Sequence, residues 1–265
     1  METVYYILLF IIGVVFGSFY NVVGIRVSIG QSIVRPGSHC PKCKHPLSWY
    51  ENIPLLSYLV LRGRCKSCKQ SISPIYFWFE LLTGLLFVLA YHRIGLEKEL
   101  LVALTFISLL VIISVSDIKY MLIEDIVLLV FLVVILIERL LIPMPFEYMT
   151  IQSPYFETLL GGIVGFIILF LIAIIGEKIL KKEVMGGGDI KLYGIIGLVL
   201  GIKMTIVSLF IAAFLGSLIG FILIRMKRIK RDSPIPFGPF IALGSLITYF
   251  YGVPLLDWYI GLFSL

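Results

Sequence analysis

The chain has 265 residues, of which 60% are apolar and only 14% charged, with a formal net charge of +6. A soluble domain is about 45–50% apolar and about 25% charged, and a disordered chain is poorer still in apolar residues, so the excess must face lipid. A helical span takes about 20 apolar residues, so eight spans use roughly 160 and leave about 105 for loops. The first apolar run, 4–25, opens almost at the N-terminus. Met1-Glu2-Thr3 carries no basic charge and the run is too long for a signal sequence, so it is predicted as a membrane helix. Further runs follow at 75–92, 100–116, 123–142, 157–176, 190–202, 204–224 and 235–256, the sixth short and with a soft boundary near Lys203. The expected fold is an all-α polytopic membrane protein of about eight transmembrane helices, with a small four-cysteine domain in its first loop.

Positive charge sets the sidedness. The loop 26–74 holds Arg26, Arg35, Lys42, Lys44, Arg62, Arg64, Lys66 and Lys69 against one acid, Glu51. If that loop is cytoplasmic, alternate loops are too. These carry Lys119, then Lys178, Lys181, Lys182 and Lys191, then Arg225, Lys227, Arg228, Lys230 and Arg231, while the other side keeps Arg93, Lys98, Arg139 and Lys203. A split of 18 to 4 that survives seven alternations places both termini outside. The run from Arg225 to Arg231 reads as an anchor at the lipid headgroups. It has no interleaved aromatic residues, so no nucleic-acid partner is expected.

All four cysteines lie in the first loop, as Cys40-Pro-Lys-Cys43 and Cys65-Lys-Ser-Cys68. Two such turns present four thiolates to a tetrahedral Zn²⁺, and four thiolates leave no open position, so the metal is expected to be structural. Redox pairs and free thiols are the alternatives, and a reducing cytoplasm argues against disulfides. His39 and His45 flank the first pair and are read as surface residues rather than ligands.

Acids within or beside the apolar runs are few: Glu80, Asp117, Glu124, Asp125, Glu138 and Asp189. An ionisable group near the membrane is costly and is by default a functional hypothesis. Glu138 neighbours Arg139 and is expected to pair with it at the outer interface, and Glu80 lies one turn into the second run. Asp117 closes the third run. Asp189 follows Gly186-Gly187-Gly188 and opens the sixth, with Lys191 two residues on. Either aspartate alone reads equally well as a helix cap or an interfacial group. Together, on one side of the membrane, they are expected to form a catalytic pair that shares a proton as in aspartic proteases, with no metal in that site. Cleavage is expected nearer neutral pH than in a water-exposed acid protease.

The order of motifs resembles the bifunctional prepilin peptidases over about residues 13–250. The matching pieces are Gly17-Ser18-Phe19-Tyr20-Asn21 with Arg26, Cys40-Pro-Lys-Cys43, Glu51-Asn52-Ile53-Pro54, Gly63-Arg64-Cys65-Lys66-Ser67-Cys68, Glu80-Leu81-Leu82-Thr83-Gly84, Gly186-Gly187-Gly188-Asp189-Ile190-Lys191 and Pro236-Phe237-Gly238-Pro239. The glycine–aspartate segment is also similar to that of presenilin-like intramembrane proteases. The resemblance implies that Asp117 and Asp189 are catalytic and that Gly186, Gly187, Gly188 and Lys191 form the active-site loop. Prepilins and pseudopilins would be the substrates, cut at the cytoplasmic face of a bacterial inner membrane. It also implies methylation of the new N-terminus with S-adenosylmethionine, with Gly63 and Arg64 at positions tied to that step. The family has a proline before its second acid, and here Glu124 precedes Asp125.

Because the cytoplasmic face is basic, a basic leader needs local acids, for which Glu51, Glu80, Glu124 and Asp125 are the candidates. The expected division is a first helix over 1–25, a zinc-bearing cytoplasmic domain over 26–74 and a peptidase domain over 75–265. The competing class is a transporter or channel that uses Asp117 and Asp189 along an ion path. Against it, no inverted repeat relates the two halves.

Overall fold

The computed structural model describes residues 2–182, 185–228, 230 and 233–262, apart from the Phe146 side chain. Arg231, counted above among the cytoplasmic cations, lies outside them. The helices are α1 (Glu2–Val27), α2 (Leu56–Val60), α3 (Ile75–Ile94), α4 (Glu99–Tyr120), α5 (Asp125–Leu141), α6 (Pro154–Leu180), α7 (Gly187–Arg225) and α8 (Gly238–Gly261), with no strand among the described residues. The chain forms two compact units, Met1–Leu100 and Leu101–Leu265.

Six helices, α1, α3, α4, α6, α7 and α8, are long and apolar enough to cross a membrane. The chain is a membrane protein. The sequence divides its apolar residues into eight runs, and the difference has two causes. α5 has 17 residues, just short of a full span, although its residues are apolar from Ile126 to Ile137. α7 has 39 residues but is not one rod, because Gly201 takes φ 73°, a conformation that glycine adopts without strain.

The neighbours of α6 show that the chain reverses there. A Cβ placed on Gly165 would meet both the carbonyl of Tyr193 and, at 3.2 Å, the methyl of Thr205. In a continuous helix these two residues would be about 18 Å apart. Residues 187–200 therefore run antiparallel to α6 and residues 202–225 return beside it, which recovers the two runs expected on either side of Lys203.

Close backbone approach holds both units together. In Met1–Leu100, a Cβ on Gly13 would lie 2.8 Å from the Gly84 Cα, and one on Gly17 would lie 2.9 Å from the Glu80 Cα. In Leu101–Leu265, Gly161 and Gly197 meet backbone to backbone, and Gly244 packs on Ala212 and Ser208. Small residues at these seams suit helices in lipid, where packing replaces the hydrophobic effect as the cohesive force. The outward faces are apolar as well. Phe210, Phe214, Leu218 and Phe221 are all exposed and recur at helical spacing, forming a lipid-facing stripe on α7. α4 is buried on every face from Val102 to Val115 apart from Leu104 and Thr105, and it delivers Asp117 at its end.

Candidate active site

α4 ends one turn beyond Asp117, where Met121 takes φ 53° and its amide donates to the Asp117 carbonyl at 2.9 Å. The side chain of Asp117 is 6% exposed, and its Oδ2 accepts the Gly238 amide at 2.7 Å. Gly238 opens α8, so Asp117 faces the positive end of a helix whose first amides lack internal partners. Asp189 opens α7. Its amide donates to the Gly186 carbonyl at 3.1 Å, and a Cβ on Gly186 would lie 3.3 Å from its Oδ2. A Cβ on Gly188 would lie 2.6 Å from the Ile123 side chain, so glycine there lets the start of α7 close onto the 121–124 linker. That contact sets the start of α7, which carries Asp189, against the linker that follows Asp117. The two aspartates thus share one end of Leu101–Leu265.

The other acids have different surroundings. Lys191 Nζ donates to both Asp125 oxygens at 2.7 Å, and this pair is exposed. Glu124 holds the N-cap position of α5 and is half-buried. Glu80 is 8% exposed, and its Oε2 accepts the Leu55 amide at 2.8 Å, tying the loop to α3. Glu51 is buried beneath the Ser48 amide, which donates at 2.9 Å, and beside His45 Nε2 at 3.4 Å. The Ser48 amide holds the Glu51 carboxyl below its ordinary range. Of the four acids considered for a basic leader, Glu124 and Asp125 remain accessible. Thr105 Oγ1 donates to Glu138 at 2.7 Å, and Arg139 donates to the Val199 carbonyl at 3.0 Å.

In the loop the cysteine pairs form two matching turns. The Lys44 amide donates to the Cys40 carbonyl and the Lys69 amide to the Cys65 carbonyl, with φ 58° at both lysines. All four sulfurs lie within 4.8 Å of one another, and Cys40–Cys68 and Cys43–Cys65 are each 3.9 Å apart. A zinc–sulfur bond is about 2.3 Å, so tetrahedral sulfurs lie about 3.8 Å apart. The cluster fits a metal such as zinc. Amides of Cys43 and Lys42 directed at the Cys40 sulfur lower its thiol, while burial and the neighbouring thiols raise that of Cys68, an uneven sharing set by four sulfurs this close together.

Residues 11–94 match the bacterial peptidase A24 N-terminal domain, and residues 104–221 match the type IV leader peptidase family. Over 253 residues the chain is 40% identical to a prepilin leader peptidase/N-methyltransferase of Bacillus subtilis (strain 168), covering 96% of this chain and 97% of that protein. The chain belongs to the type IV leader peptidase family. Relatives with the same description are 36% identical in Myxococcus xanthus, over 82% of this chain and 63% of that protein, and 31% identical in Pseudomonas putida, over 95% and 93%. No solved structure matches the chain.

The contact that sequence reasoning missed is the one made by Gly238. The Pro236-Phe237-Gly238-Pro239 segment carries no titratable group, and what it gives Asp117 is a backbone amide, which no side-chain pattern reveals. A Cβ on Gly238 would lie 2.9 Å from the Asp117 Oδ2. Gly238→Ala is therefore expected to push the carboxyl aside and lower kcat about tenfold to a hundredfold, since a misplacement near 1 Å costs about that much. Steady-state cleavage kinetics check it, and an unchanged kcat would remove Gly238 from the site.

Proposed function

We propose that this chain is a membrane aspartic endopeptidase that removes the basic leader of type IV prepilins and pseudopilins at the cytoplasmic face of a bacterial inner membrane. N-methylation of the new N-terminal residue, with S-adenosylmethionine as methyl donor, then follows. What supports the reading is the contact of the start of α7, bearing Asp189, with the linker after Asp117, in a chain of this family.

In this reading one carboxyl of the pair is ionised and takes a proton from water. The other is protonated and hydrogen-bonds the scissile carbonyl. The hydroxide equivalent attacks the carbonyl carbon, the C–N bond breaks, and the leaving amine takes up a proton from the pair. The Gly238 amide keeps Asp117 in place, and the Gly186–Gly188 segment lets the start of α7 approach the 121–124 linker. Asp125 and Glu124 are the acids open to a basic leader, and Lys191 is the residue such a leader displaces from Asp125. The loop 26–74, the linker 121–124 and the start of α7 face the cytoplasm, with both termini outside. The domain reading follows these roles: a first helix over 1–25, a cytoplasmic domain over 26–74, and the peptidase chemistry in the remainder.

Cys40, Cys43, Cys65 and Cys68 would hold a structural zinc, which supplies a fixed tetrahedral crosslink to the loop. The methyl donor is a different matter. The cleft beside Gly63 and Arg64 encloses about 270 Å³ and is lined by Leu61, Arg62, Arg64, Cys65, Lys66 and Lys69. Every ionisable group there except the cysteine is a cation, which suits an anion and not a sulfonium-bearing molecule. Gly63 itself serves the turn, with φ 65°, its amide donating to the Tyr58 carbonyl at 2.8 Å and its carbonyl accepting the Ile72 amide at 2.7 Å. The cleft residues do not fit S-adenosylmethionine, so methylation rests on family membership and no step is derived for it.

The test is incubation of purified protein in detergent with a prepilin, read by product mass. Loss of the leader is expected, with a further gain of one methyl when S-adenosylmethionine is added. A prepilin left uncut would refute the peptidase reading.

A further inference from the structure

Two buried ionisable side chains from α5 and α6, which take no part in the chemistry, meet the far end of residues 187–200. Residues 187–200 meet residues 202–225 at Gly201, and the reversal there removes helical partners from backbone groups on both sides. Glu157 Oε1 accepts the Ile202 amide at 2.8 Å, and its Oε2 accepts the Ile151 amide at 2.9 Å. Arg139 Nη2 donates to the Val199 carbonyl at 3.0 Å. Glu157 is 0% exposed and Arg139 2% exposed.

We propose that Glu157 and Arg139 are positioning residues for Asp189. By pinning the turn at 199–202 from α6 and α5, they set the tilt and axial position of residues 187–200, and so the place of Asp189 relative to Asp117. The inference rests on the peptidase reading above.

Two features favour positioning over simple cohesion. The seam between α6 and residues 187–200 is backbone on backbone, with Gly161 against Gly197 and Gly165 against the Tyr193 carbonyl. Such a surface resists separation, and the side chains that interlock across it, Leu198 over Gly162 and Phe166 against Gly194, are apolar. The polar pins add direction, because each hydrogen bond fixes one backbone atom to a named side-chain atom. The second feature is leverage. From Gly201 to Asp189 is about 18 Å of helix at 1.5 Å per residue. A tilt of about 5° about the turn moves Asp189 by roughly 1.5 Å, and a misplacement of 1 Å costs about a hundredfold in rate. A slack too small to melt the protein is thus large at the dyad.

The experiment uses the full chain in detergent, with steady-state prepilin cleavage, zinc content and size-exclusion profile measured together. Glu157→Ala is expected to lower kcat about tenfold to a hundredfold and to leave KM within about twofold, the signature of a lost transition-state arrangement. Glu157→Gln keeps a carbonyl oxygen for the Ile202 amide and is expected to recover kcat to within about fivefold of wild type. Arg139→Met is expected to act like Glu157→Ala. A Glu157→Ala protein with wild-type kcat, a loss that falls on KM, or a Gln variant no better than Ala would each overturn the proposal. If Glu157→Ala is not monodisperse, Arg139→Met decides: a kcat loss at constant KM supports the pin, and unchanged kcat overturns it. If wild type cuts and Asp189→Asn does not, the peptidase reading stands whatever the Glu157 series gives. A wild type that does not cut removes both.

Discussion

Asp117→Asn and Asp189→Asn are each expected to lower kcat for prepilin cleavage at least about a thousandfold, with zinc content and detergent-solubilised fold unchanged. A thousandfold corresponds to about 4 kcal/mol of transition-state stabilisation, within the range for loss of a general acid or base. The substitution is nearly isosteric. An Asn at 117 still offers an oxygen to the Gly238 amide, which donates at 2.7 Å, so the α4–α8 contact survives. What disappears is the capacity to exchange a proton. The double variant should be hardly worse than either single one, because two groups that share one proton act as a unit. Asp125→Asn provides the contrast. Its carboxylate is exposed and paired with Lys191, so its loss is expected to raise KM for basic leaders while changing kcat within about threefold. This comparison also settles which acid of the 117–125 segment acts. Normal cutting by Asp117→Asn, or abolition by Asp125→Asn, would overturn the assignment of Asp117.

Much of this site is legible in the sequence because charge is scarce there. In a chain with 14% charged residues, an aspartate closing one apolar run and another opening a later one stand out. The cysteine cluster is legible for a similar reason, since spacing alone brings each pair to one turn. Burial is not legible. Glu80 and Glu51 look like open acids in the sequence, yet each is committed to a backbone amide, of Leu55 and Ser48 respectively. The reversal in α7 leaves only a faint trace, a soft boundary near Lys203. The residues that satisfy its backbone are invisible from that position, because Glu157 and Arg139 come from two other helices. Backbone donors such as the Gly238 amide leave no trace in residue chemistry at all. Sequence patterns report side chains that differ from their neighbours, and they miss polar bonds whose partner is the main chain.

Removing the metal is expected to have the second large effect, confined to residues 26–74. Among these residues Cys40, Glu51, Gly63 and Cys65 are the buried ones, so two of the four are cysteines of the cluster itself. The loop has no apolar core to fall back on. α2 has five residues, too few to persist alone. A structural zinc contributes about 10–16 kcal/mol to the folding of small domains that depend on it, far more than a few loop hydrogen bonds supply. Elemental analysis is expected to find one zinc per chain in wild type and none in Cys40→Ser. The metal-free protein should then be nicked by protease between 26 and 74, the loop having lost the ordered state that zinc stabilises. Cleavage should persist within about threefold, because Asp117 is held by Gly238 and Asp189 by the α6–α7 seam, all in Leu101–Leu265. Protease resistance of the loop in metal-free protein would show that the cysteines do not hold it together. A collapse of cleavage in the metal-free protein would show instead that the peptidase chemistry depends on the loop's fold.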